Sequence, residues 1–269
     1  MIRAPLSTTT VLDESAESVR TAAAPWAGVL ILTALPYRFA QVYFVDRLMQ
    51  FGSDASHYGR YLLTIAGWTM FAFLVARWGR FVFARAVRLA AESGRTVGRE
   101  AMRIPPATLI DYLYTSLIIE CISVAAFVTC LAPAICTIVS GLAIGTAELN
   151  EQPSPIGPFR RIAGQGRNVK IAVALALVFG VAAVVALVNI TAMFGIGLWL
   201  GSAVGGWDVQ RWTRLLSPAN RRFLLVVIAG ALMVIEPFWV AAHVTLVRKG
   251  EAAESGDDLR AWLEELRGV

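Results

Sequence analysis

Three ionisable side chains sit inside long apolar runs: Arg38 in LTALPYRFAQVYF, Glu120 in LIIECISVAA and Glu236 in LMVIEPFWVA. A charge at the centre of a bilayer costs about 2.5–3.5 kcal/mol on insertion scales, so it is rarely tolerated without a partner. Two kinds of chemistry are open to such a set. Arg38 can close on Glu120 or Glu236 as a structural ion pair, or the three can line a polar pathway, with Glu120 as a proton carrier. Pro237 follows Glu236 and has no N–H to give the Met233 carbonyl one turn earlier. That carbonyl is then free for a cation or a water. Arg38, Glu120 and Glu236 are the candidate intramembrane polar site.

Other chemistry finds little support. The chain contains no HExxH, no GxSxG, no GxxxxGK and no CxxC, so the commonest zinc, serine and phosphate machinery is missing. His57 and His243 are its only histidines, and Cys121, Cys130 and Cys136 share one apolar run without paired spacing. Neither set suits a metal site or a disulfide framework. The cysteines read as small apolar side chains. Gly195, Gly197 and Gly201 miss the dinucleotide fingerprint, and no strand precedes them. Asn189-Ile190-Thr191 matches a glycosylation acceptor but lies at the end of an apolar run. The expectation is a protein without catalytic residues, cofactor or metal.

The elements that must hold these residues are set by hydropathy. The 269 residues are 57% hydrophobic and 16% charged, with a mean hydropathy of +0.62. A soluble domain has about 25% charged residues, so this chain lacks the polar side chains to cover a watery surface. Its net charge is +5, carried mostly by arginine. The arginines form short clusters between apolar runs, not one basic face. That argues against nucleic acid and for membrane topology and anionic lipid.

The expected fold is therefore all-α, a polytopic transmembrane bundle of about six spans. Residues 1–22 read as a short amphipathic helix, at the membrane surface or an ordinary solvated one, capped by Thr9 or Thr10, with Val11, Leu12, Ala16 and Val19 near one face. The first apolar run starts near Thr21, after Asp13, Glu14 and Glu17, and predicts a retained span rather than a cleaved leader. The transmembrane domain covers 23–247, with spans at about 23–45, 59–76, 107–127, 131–148, 169–190 and 222–247. The second span runs on through Arg77, Arg80, Arg85 and Arg88 as a helix leaving the membrane with an apolar side at the interface. The stretch 105–147 is too long for one crossing and predicts a turn near Cys130-Leu131-Ala132-Pro133. Pro153, Pro155 and Pro158 make 149–167 a loop. Asp111 and Asp208 fall near span ends, where water solvates them.

Residues 193–208 are apolar, short and rich in glycine. Gly197, Gly201 and Gly205 stand four apart, a spacing that lets helices approach closely in lipid. They are the candidate helix-packing face, and a re-entrant or pore-lining segment is the functional alternative. The tail 248–269 contains a short helix over about Gly256–Arg267, with Leu259, Trp262, Leu263 and Leu266 at helical spacing.

Orientation follows the arginines. Residues 77–103 carry seven arginines against two glutamates. Residues 149–170 carry Arg160, Arg161, Arg167 and Lys170 against Glu151. Both stretches belong in the cytoplasm, with both termini. Arg211, Arg214, Arg221 and Arg222 fall on the wrong side in a six-span arrangement. Seven spans would correct them and misplace Arg248 and Lys249.

Two segments carry a resemblance. TTTVLDESAESVR leading into LPYRFAQVYF resembles the start of a group of uncharacterised bacterial multi-pass membrane proteins, which open on an "LDEAVxLLR"-like helix followed by "LPF" and "LYF" in the first span. IEPFWVAAHVTLVRKGEAAESGDDLRAW resembles their end: Glu236 and Pro237 match an acid and proline in the last span, and Gly256-Asp257-Asp258-Leu259 match a "GEDL"-like tail. The group is distantly similar to the membrane domain of some glycerophosphoryl diester phosphodiesterases. The resemblance implies an even span count, a cytoplasmic tail and the bacterial inner membrane. It also implies neighbours of the MoxR-type ATPase and transglutaminase-like kinds, and so an envelope complex.

The expected function is thus a non-enzymatic subunit or scaffold of such a complex. Its partners would be lipid and either other membrane proteins or further copies of this chain. The alternative is a small-solute or ion transporter or channel built on Arg38, Glu120 and Glu236.

Overall fold

A computed structural model describes residues 6–21, 24–51, 55–125, 131–147, 156–206 and 220–255, with Asp208, Arg214, Leu216 and Ser217 between the last two segments. The described residues are helical, without a strand. The helices are α1 (Thr8–Thr21), α2 (Ala24–Phe51), α3 (Ala55–Ser93), α4 (Pro106–Ala125), α5 (Leu131–Thr146), α6 (Gly157–Gly164), α7 (Val169–Gly205) and α8 (Arg221–Ser255). The expected C-terminal helix at 256–267 and the turn at Cys130 lie outside the described residues.

Four of these helices, α2, α3, α7 and α8, are long and apolar enough to cross a membrane. That is fewer than the six expected, because among the described residues α4 and α5 are not both long and apolar enough; α7 bears on a different expectation. It runs unbroken for 37 residues, so 169–190 and 193–208 are a single helix and no separate re-entrant segment exists. Each interior glycine costs a helix about 1 kcal/mol. Leaving backbone groups unsatisfied in an apolar setting costs several, so the helix continues through them.

Proline explains a second departure. The stretch 149–167 is not all loop, because α6 starts at Gly157 with Pro158 in its first turn. A first-turn N–H has no intrahelical acceptor, so proline loses nothing there. Helix α5 starts at Leu131, where the expected span at 131–148 begins, with Pro133 in its first turn.

The chain divides into two compact units. The first comprises residues 1–30, 77–178 and 237–269, and the second residues 31–76 and 179–236. The first unit has an ordinary packed interior. Phe81, Val82 and Phe83 of α3 are fully buried with Leu175 of α7 and Val240, His243 and Leu246 of α8. The arginine-rich half of α3 is therefore a core element, not a helix with an apolar side at the interface. Phe81 and Tyr112 stack at 5.3 Å, and the Trp26 indole donates to the Val97 carbonyl at 2.9 Å.

Helix α1 also belongs to this unit. Ser7 caps it: its hydroxyl accepts the Thr10 N–H at 3.2 Å, so Thr9 and Thr10 are already inside the helix. Val11, Ser15 and Val19 are buried, four residues apart on one face. Glu14 pairs with Arg248 at 3.6 Å and with Lys249. The face expected to rest on lipid rests on protein, because the end of α8 offers two cations.

The hairpin partner α5 approaches α8 through glycine. A side chain on Gly141 would collide with the His243 ring, and one on Gly145 would meet the His243 carbonyl at 2.7 Å. This Gly-x-x-x-Gly pair sits opposite His243 and Val247, also four apart.

The second unit has fewer buried side chains and an apolar exterior. Tyr37 and Phe73 meet edge-to-face at 5.5 Å, and Ala34, Val227 and Ala231 are buried. Its outer faces carry Leu32, Leu63, Trp68, Val181 and Trp199, all exposed. Contiguous apolar faces of this extent call for a non-aqueous surrounding.

Candidate functional site

The three charges expected within apolar spans are closed into direct pairs. In the second unit Arg38 projects from α2, donating to Glu236 of α8 at 3.3 Å and to Gln41 at 3.2 Å. Its guanidinium also lies 5.6 Å from the Tyr37 ring centroid. The Glu236 side chain is 8% exposed and that of Arg38 20%. Neither Pro36 nor Pro237 interrupts its helix.

Glu120 is not part of that arrangement. It accepts from Arg77 at 3.0 Å, within the first unit. The hydropathy pattern places Arg77 among the basic residues leaving the membrane. It is instead a buried partner on α3, opposite α4. The signal for this was present in FAFLVARWGRFVF, where apolar residues continue on both sides of Arg77. An arginine flanked in that way is a candidate for internal pairing.

Asp111 also departs from expectation. It is 9% exposed and attracts Arg161, because α6 folds back over α4 and α5. Asp111, Thr115, Thr146 and Arg161 bound a cavity of about 10 Å³, room for one water. Asp208 is exposed.

His243 is fully buried. Its Nδ1 lies 3.0 Å from the Trp239 carbonyl and its ring 4.1 Å from the Trp239 ring. Its ring stands against Gly141, a pairing that the 141–145 glycine spacing could have suggested. Among the described residues no group of three or more His, Cys, Asp or Glu side chains is arranged to hold a metal ion. Cys121 is an exposed thiol and Cys136 a buried one, the latter packed with Ile119 and Ala143. Cys130 lies outside the described residues.

The candidate packing face is open. A side chain built on Gly197 would meet nothing within 4 Å. Gly201 and Gly205 follow on the same helix, beside exposed Ile196, Trp199, Leu200 and Val204. Among the described residues, this stretch of α7 is mostly exposed.

No family model matches the chain, and neither the curated proteins nor the solved structures include a match.

Proposed function

We propose that this chain is a non-catalytic subunit of a bacterial cytoplasmic-membrane complex, docked on another membrane protein along α7. The observation that carries this reading is the length of the apolar stripe on that helix. Exposed apolar side chains run from Val169 and Leu177 through Val181 and Val188 to Trp199 and Val204. Thirty-five helical steps cover about 53 Å, against a hydrocarbon core of about 30 Å. A tilt of about 40°, the steep end of the usual range, still leaves about 40 Å along the membrane normal. Lipid covers part of the stripe, and a protein partner supplies cover for the remainder.

The ion pairs point the same way. A carrier carboxylate must release and regain its ion, whereas Glu236 and Glu120 each face a guanidinium at contact distance. The geometry favours the scaffold over a transporter built on Arg38, Glu120 and Glu236.

In this reading α2, α3, α7 and α8 cross the membrane, an even number that returns the chain to its starting side. Helix α5 has 16 residues, about 24 Å, too short to cross. The α4–α5 hairpin then enters from the side of the termini. Arg85–Arg103, Arg160–Lys170 and Arg248–Lys249 then take the cytoplasmic side, in line with the positive-inside rule, while Arg211, Arg214, Arg221 and Arg222 fall on the other.

Purification in mild detergent from native membranes tests the proposal. A discrete partner should co-elute with the wild type and be lost from Gly197→Leu, which has space for the new side chain. A wild-type chain that always elutes alone would overturn the reading. So would loss of ion or solute flux in Glu236→Gln with folding intact, which instead marks a transporter.

A further inference from the structure

Where α2 ends and α8 begins, the second unit opens into a cleft of about 680 Å³, within the size range of small-molecule sites. One wall is apolar: Phe194 of α7 and Phe223 of α8 meet edge-to-face at 5.4 Å, continued by Val226. The opposite rim is polar. Asp46 is buried, accepts from Gln50 at 3.0 Å and pairs with Arg222 at 3.4 Å, so its charge is met. Arg221 is different. Its guanidinium lies on the Met49 sulfur, a weak acceptor. No carboxylate among the described residues pairs with it. Among the described lining residues, two arginines and one aspartate leave one net positive charge.

The same end of the unit carries an aromatic group suited to the membrane–water boundary. The Tyr43 and Tyr61 hydroxyls bond at 2.8 Å, and Phe51 stacks on Tyr58 at 4.4 Å. Tyrosines of this kind collect at headgroup depth. An unneutralised guanidinium beside an apolar wall at that depth suits one ligand class. Its planar fork matches phosphate oxygens, and the wall suits glycerol and the first acyl carbons.

We infer that this cleft is a binding site for an anionic glycerophospholipid, with the phosphate on Arg221 and the acyl chains against Phe194, Phe223 and Val226. Asp46 is a fixed counter-charge to Arg222, which leaves Arg221 to the ligand.

The test is native mass spectrometry of the full chain released from nanodiscs of mixed dioleoyl phosphatidylglycerol and dioleoyl phosphatidylcholine. The wild type should retain phosphatidylglycerol about tenfold over phosphatidylcholine, the scale of one charge-assisted contact. Arg221→Gln should abolish that preference. Arg60→Gln, which removes an exposed cation from α3 of the same unit, should keep it. Equal retention of both lipids by the wild type overturns the inference without any variant, as does equal loss in both variants. Displacement of the retained lipid by millimolar inorganic phosphate would identify a small-anion site and overturn it as well. None of these outcomes depends on whether a protein partner occupies α7.

Discussion

The two ion pairs differ in what surrounds them. Arg77 and Glu120 lie in a unit with other polar groups in its interior, among them Arg80, Asp111 and Thr115, all buried, and a third of the Glu120 side chain reaches the surface. Arg38 and Glu236 lie in a unit with few buried polar groups and an apolar exterior, and Glu236 is almost closed off. A charge stranded in the first setting can find water or a neighbour. A charge stranded in the second has Gln41 and little else. The same residue types at similar distances therefore carry different weight, and mutation separates them.

The largest effect is expected at the enclosed pair. Glu236→Gln strands Arg38, and breaking a buried pair costs about 3–5 kcal/mol. Membrane accumulation and thermal unfolding in detergent should both fall sharply. The exchange Arg38→Glu with Glu236→Arg should recover more than either single change. If Glu236→Gln accumulates like the wild type, the pair does not hold the second unit together.

A comparable but smaller loss is expected where α5 meets α8. Gly141→Val forces a side chain into the His243 ring, and overpacking of this kind costs about 1–3 kcal/mol. The companion His243→Ala with Gly141→Val should regain part of it, read by the same unfolding assay. Next comes Glu120→Gln, about 1–2 kcal/mol, because partial exposure lets solvent screen the Arg77 left behind. A loss equal to that of Glu236→Gln would erase the distinction between the two pairs. Ser7→Ala removes the α1 cap and should cost about 1 kcal/mol, seen as faster proteolysis of the N-terminal segment. Gly197→Leu should change stability by less than about 0.5 kcal/mol, since nothing stands near its α carbon.

What could be read from the sequence follows from how local each feature is. The helical membrane class needed only the apolar runs. The approximate starts of α4, α7 and α8 needed only the polar stretches before them. Arg38 could be narrowed to two acids, but the choice of Glu236 rests on the relative register of α2 and α8, which are about 200 residues apart in sequence. Arg77 was hidden by company, because three further arginines made its stretch look like an ordinary cytoplasmic flank. The continuity of α7 was hidden by glycine, whose helix penalty in water misleads in an apolar setting. Ser7 and Pro158 were misjudged by only a residue or a turn, where capping chemistry sets the boundary. Gly141 and Gly145 carried the same spacing as Gly197, Gly201 and Gly205, yet among the described residues Gly141 and Gly145 lie against α8 while Gly197 faces open space.

That contrast between a covered and an uncovered glycine face is the basis for the central claim. Photo-crosslinking from α7 in intact native membranes tests it most directly, with a photoreactive residue in turn at Ile196, Trp199 and Val204. A docked partner predicts a discrete protein adduct of one size from these positions, absent when Gly197→Leu is combined with them. Adducts to lipid alone from every position would contradict it.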